Sequence, residues 1–165
     1  IATIDTFVKA APLHDIGKVS IPDHILNKPG KHTPEEWAVM QTHAKAGSDA
    51  IWRAIRDEDD RNGLDFLYVA MEIAHYHHEK WDGNGYPERL AGEKIPLAAR
   101  LMAVADVFDA LINKRVYKAA MSIDEATAII QQGRGSHFDP DIVDAYSKHL
   151  DDFREIAARF ADHES

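Results

Sequence analysis

The stretch AHYHHEKWDGNGYP, residues 74–87, ends an apolar run with three histidines and a glutamate and then passes at once into a loop of turn residues. On a helix that advances about 100° per residue, Phe66, Leu67, Ala70, Met71, Ile73 and Ala74 form one apolar face, and His77 and His78 fall on it. Tyr68, Glu72, Tyr76 and Glu79 fall on the other side, with His75 at the boundary. Two adjacent imidazoles that face a core need partners, because an unsatisfied buried polar group is costly. A bond to a backbone carbonyl is the better account of a lone inward histidine, whereas for an adjacent pair one cation can satisfy both ring nitrogens. Matching residues stand elsewhere: LHDIGK places His14 beside Asp15, and VADVFDAL places Asp106 on a stripe with Ala99, Met102, Ala103 and Ala110. A carboxylate on such a small-residue face is a costly choice unless something cationic meets it. Taken singly, Asp106 reads as a surface charge, and His14-Asp15 as a satisfied pair near a helix end.

Helices must position these residues, since no strand alternation occurs along the chain. The expected architecture is all-α. Residues 1–18 read as helical with an interruption at Pro12, and Pro22, Pro29 and Gly30 forbid a long helix in the segment that follows. Thr33-Pro34-Glu35-Glu36 reads as a capping box with proline at the first helical position, opening a helix that carries His43. After Gly47 another short helix is expected to run into the acidic turn RDEDDRNG, followed by a helix over residues 64–79 that Gly83 terminates. Pro96 opens a helix to about residue 112, Ser122 with Glu125 forms a second capping box, and Asp139-Pro140 starts a further helix. The tail LDDFREIAARFADHES reads as a terminal amphipathic helix.

A chain of 165 residues, 45% hydrophobic and 28% charged, is one domain's worth of globular protein. Its formal net charge of −9 argues against binding a nucleic-acid polymer or an anionic membrane, so a phosphate ligand requires local positive charge or metal. The absence of Cys removes disulfide, zinc-ribbon and thiol chemistry. No apolar run is long enough to span a bilayer. A cytoplasmic location is expected. The chain opens at Ile1 in the middle of an apolar pattern, and we expect a single, N-terminally incomplete domain of a longer polypeptide.

HDIGKVSIPDHILNKPGK, HAKAG, HHEKWDGNGYP, IPLAARLMAVADVFDAL and RVYK follow one another in this chain. With these motifs, residues 10–141 resemble the HD-GYP domain, the bacterial subgroup of the HD phosphohydrolases. The resemblance implies an HD-domain helical bundle with a metal centre in its core and the Gly85-Tyr86-Pro87 loop beside it. It implies His14, Asp15, His43, His77, His78 and Asp106 as metal ligands, with Asp15 bridging two cations. Lys18, Arg115 and Lys118 match positions that contact substrate phosphate. Val116, Lys80 and His32 depart from the residues usual in the family, and RDEDDRNG lengthens the segment between His43 and His77. A preceding family helix supplies a further His and, in some members, a Glu that accompanies a third metal; it would lie before Ile1.

Imidazole and carboxylate ligands without thiolate suit Fe, Mn, Ni, Co or Zn. Two such cations sharing Asp15 can generate a hydroxide that attacks phosphorus in line, with no side-chain nucleophile. By resemblance the substrate is cyclic di-GMP, opened to pGpG and in some members on to GMP. The resemblance further implies that Asp15 and Lys18 serve catalysis and that Tyr86 can offer the nucleotide an edge, a hydroxyl or a stacking face. The resemblance also implies a receiver or other sensor domain in the same polypeptide, as in a two-component response regulator, and a protein partner at the GYP loop. A second reading is a regulatory module that holds metal and nucleotide or a partner with little turnover, and a third is an enzyme preferring pGpG. The intact ligand set favours an enzyme.

Overall fold

The computed structural model describes residues 3–57, 64–113 and 120–161. Helix α1 (Ile4–Ala10) passes at Pro12 into the 3-10 turns Ala11–Leu13 and Ile16–Ser20, and a short α2 (Asp23–Leu26) follows. The capping box forms at Thr33: its hydroxyl accepts the Glu36 N–H at 3.3 Å, and the Glu36 carboxylate accepts the Thr33 N–H at 2.7 Å. From it α3 (Pro34–Ile55) runs for 22 residues.

The chain differs here from expectation, because α3 continues through Gly47 instead of ending there. A glycine inside a helix costs about 1 kcal/mol, and this one gives access in return. The backbone of Gly17 lies against it so closely that a Cβ on Gly17 would fall 1.9 Å from the His43 carbonyl oxygen and 2.5 Å from the Gly47 nitrogen.

Helix α4 (Asp65–Tyr76) packs on α1 and α3. It stops three residues earlier than the expected 79. The Glu79 N–H turns back to the Tyr76 carbonyl at 2.9 Å, and the Gly83 N–H to Lys80 at 2.8 Å. Gly83, at φ 83°, therefore shapes the turn after Lys80 and does not cap α4. The remaining helices are α5 (Leu97–Ile112), α6 (Ile123–Gln132), α7 (Pro140–Lys148) and α8 (Leu150–Ala161). Ser122 and Glu125 form the second capping box, and the Asp139 side chain caps α7.

Two hydrophobic clusters meet along α5. One joins Ala10, Ile51, Val69, Ile73 and Met102, and the other Val104, Phe108, Ile130, Val143 and Tyr146. The described residues form no β-strand and only one isolated bridge, Arg134 to Phe138. The fold is all-α, and no described helix is long and apolar enough to cross a membrane.

Candidate metal centre

The 3-10 turns after α1, the middle of α3, the end of α4 and the middle of α5 converge on one point. Three imidazoles are oriented there by the same device. His14 Nδ1 bonds the Ala11 carbonyl at 2.8 Å, His43 Nδ1 that of Met40 at 2.6 Å, and His77 Nδ1 that of Ile73 at 2.8 Å. A carbonyl only accepts, so each Nδ1 carries the proton and each Nε2 is turned inward. His43 Nε2 and His78 Nε2 approach to 3.1 Å.

Asp15 stands between two sets of groups. Its Oδ2 lies 2.5 Å from Lys18 Nζ and 3.3 Å from His14 Nε2, which is itself 3.6 Å from Asp106 Oδ1. Its Oδ1 lies 3.5 Å from His43 Nε2 and 3.8 Å from His77 Nε2. One ligand atom each from Asp15, His43, His77 and His78 lies within 4.8 Å of the others. Asp15 Oδ1 and His77 Nε2 are buried without a hydrogen-bond partner among the described residues. Buried polar atoms are rarely left so, and two lone pairs aimed at each other cannot satisfy one another. A divalent cation answers both, so the donor set fits a metal.

The electrostatics agree with that fit at His43, His77 and His78, whereas His14 is held protonated by the two carboxylates and would exchange that proton for a cation. Burial pushes His77 down to about 4 and His78 down to about 3, leaving both rings neutral at pH 7 with lone pairs free. Burial also lowers His43. Burial opposes charge on His14 too, but the Asp106 and Asp15 carboxylates outweigh it and raise that ring to about 10. Burial disfavours an ionised Asp15, yet hydrogen bonds from His14 and Lys18 hold its carboxyl well below the usual range. Asp106 is likewise held low by His14 against its own burial.

The Tyr86 ring stacks on His78 with centroids 4.8 Å apart and planes 19° from parallel. Burial, reinforced by the two carboxylates, raises its phenol, which stays neutral. The centre opens through His14, Asp15 and Asp106 into a cleft of about 1380 Å³ walled by α1, α5 and α8. His14, Asp15, Lys18, His43, His77, His78, Tyr86 and Asp106 are thus brought together. Arg115 and Lys118 lie outside the described residues.

Two contributors are missed by the helical wheel. Glu79 is expected on the solvent side but is 2% exposed, because α4 ends before it and the wheel no longer applies. Gly17 is not singled out in the sequence, although its lack of a side chain lets the turn after Asp15 lie against the backbone of His43 and Gly47. The signal for Glu79 is its place directly after a ligand pair.

Fold and centre together define an all-α domain with a buried His/Asp cluster able to hold divalent cations. The family model described as HD domain matches residues 4–142. The chain belongs to the HD domain family, in agreement with its resemblance to the HD-GYP branch. Among curated proteins of Vibrio cholerae, it is 59% identical over 98% of its length to one named probable cyclic di-GMP phosphodiesterase. It is 54% identical over 98% of its length to a cyclic di-GMP phosphodiesterase and 45% identical over 96% to 3'3'-cGAMP-specific phosphodiesterase 2. It spans 36%, 32% and 29% of their respective lengths.

Proposed function

We propose that this domain is a metal-dependent phosphodiesterase that hydrolyses cyclic di-GMP to pGpG. One observation carries the reading: the two oxygens of Asp15 face opposite ligand sets, Oδ2 towards His14 at 3.3 Å and Oδ1 towards His43 and His77 at 3.5 and 3.8 Å. His14, Asp106 and Asp15 would hold one transition-metal ion, and His43, His77, His78 and Asp15 a second. Divalent cations supply Lewis acidity there and bring the pKa of water towards neutrality. Fe, Mn, Ni, Co and Zn all suit the donors.

The chain's own groups do the rest. Lys18, with 38% of its side chain exposed beside Asp15, donates to a non-bridging phosphate oxygen. Tyr86 keeps a neutral hydroxyl beside the centre, its ring stacked on His78, and is the residue we assign to the nucleotide. The names of the relatives support a cyclic dinucleotide as substrate, and their greater lengths leave room for the receiver or sensor module that the resemblance implies, in a cytoplasmic protein on our reading. Incubating protein loaded with Mn or Fe(II) with cyclic di-GMP, pGpG or 3'3'-cGAMP and resolving the products tests the reading. No cleavage of any of them under either metal would sink it.

Two substitutions separate roles. Lys18→Ala should leave metal content unchanged and lower kcat/KM by about 10- to 100-fold, the worth of a hydrogen bond to a charged group. Loss of metal would make Lys18 a support for Asp15 instead. Tyr86→Ala should weaken cyclic di-GMP turnover by about tenfold, as expected from one lost aromatic contact, and affect bis-(p-nitrophenyl) phosphate far less. Equal losses on the two substrates would place Tyr86 in support of the fold.

A further inference from the structure

Glu79 follows the ligand pair His77-His78 directly and is 2% exposed, yet its carboxylate serves neither half of the centre. Its Oε1 accepts the Glu88 N–H at 2.6 Å and its Oε2 the Leu90 N–H at 3.0 Å. Burial pushes the Glu79 carboxyl up, and the N–H groups of Glu88, Leu90 and Arg89 oppose it by favouring the charged form. Arg89 is the one non-glycine residue at positive φ among the described residues, at 56°. A left-handed residue in such a run turns successive N–H groups towards one point, making a backbone nest for an anion. Here the anion is the side chain of Glu79, and it accounts for a bulky residue being held in a conformation that L side chains disfavour.

The nest fixes one end of a short loop, and the other end is fixed by Gly85. A Cβ there would lie 2.4 Å from the Lys80 nitrogen and 2.5 Å from the His78 carbonyl oxygen, and the next N–H, of Tyr86, bonds that carbonyl at 3.2 Å. Between these two anchors the Tyr86 ring lies on His78. We propose that Glu79 is a positioning residue: by filling the nest at residues 88–90 it holds the Tyr86 ring in place, and so governs how the nucleotide is seated without holding metal. This rests on Tyr86 contacting substrate, as proposed above.

Glu79→Gln keeps the shape but leaves one acceptor oxygen, and its amide group meets an N–H. In Mn-loaded protein, amide exchange at Glu88 and Leu90 should quicken by about tenfold or more, the worth of one charge-assisted hydrogen bond. KM for cyclic di-GMP should rise about tenfold, while metal content and turnover of bis-(p-nitrophenyl) phosphate stay within about twofold. Adding Arg89→Gly, which lets the nest form with less strain, should recover part of the lost KM. Glu79→Asp, which keeps the charge but shortens its reach, should show the same split more weakly and serves if Glu79→Gln does not fold. Unchanged exchange at Glu88 and Leu90 would overturn the proposal, and so would equal loss of metal and of both activities. If the parent protein cleaves no cyclic dinucleotide, the phosphodiesterase reading fails, while the exchange rates still decide whether Glu79 holds the loop.

Discussion

Asp15→Ala is expected to lose most of both metals and to lower phosphodiester hydrolysis by more than the roughly 100-fold that loss of an outer-shell partner costs. In the proposed centre the Asp15 carboxylate would be shared by two cations and would offset their mutual repulsion, so neither half would be complete without it. The geometry makes the expectation specific, since Oδ2 lies on the side of His14 and Oδ1 on the side of His43 and His77. Among the described residues Asp106 forms its ion pair with His14, at 3.6 Å. Asp106→Ala should therefore keep a larger metal fraction than Asp15→Ala, and His77→Ala should chiefly empty the other half. Metal analysis of the three purified variants decides, with circular dichroism to separate ligand loss from unfolding. A full metal complement in Asp15→Ala would remove the shared-carboxylate centre, and the mechanism built on it.

Much of this arrangement is legible in the sequence, for local reasons. The capping boxes at Thr33 and Ser122 and the Asp139-Pro140 start depend on residues three apart or fewer, so reading them needs no knowledge of the fold. The inward pair His77-His78 is legible because apolar periodicity continues through α4 up to it. What escapes depends on contacts between distant segments. Nothing near Gly47 says that a helix passes through it, because the reason is Gly17, thirty positions away. Nothing near Glu79 says that it is buried, because its partners are the N–H groups of a loop that returns nine to eleven residues later. The metal ligands become a set mainly through family resemblance, since His14, His43 and Asp106 taken singly each have an ordinary alternative. Folding is what brings His14 and His43 within reach of the Asp15 carboxylate, with Asp106 beside His14.

That long-range contact gives the second large effect. Gly17→Ala adds a methyl group that would lie 1.9 Å from the His43 carbonyl oxygen, 2.5 Å from the Gly47 nitrogen and 2.9 Å from the His43 carbonyl carbon. All three are backbone atoms and none can rotate aside, so the Ile16–Ser20 turn and α3 must separate. Overpacking costs about 1–3 kcal/mol where side chains can yield, and with backbone on both sides we expect at least the upper end. For a domain of this size that corresponds to a Tm lower by about 6–12 °C. The same separation carries Asp15 away from His43, whose Nε2 now lies 3.5 Å from Asp15 Oδ1, so the protein that still folds should bind less metal at the half held by His43, His77 and His78. Gly47→Ala is the matching control. Its added methyl meets Gly17 N at 3.0 Å and Ile16 Cγ2 at 3.3 Å, a strain of a few tenths of an ångström set against about 1 kcal/mol of gained helix propensity. It should leave Tm within a few degrees of the parent and metal content nearly unchanged. Thermal unfolding and metal analysis of both variants test the contrast. Equal behaviour of the two would show that the crossing of the turn over α3 does not set the position of Asp15.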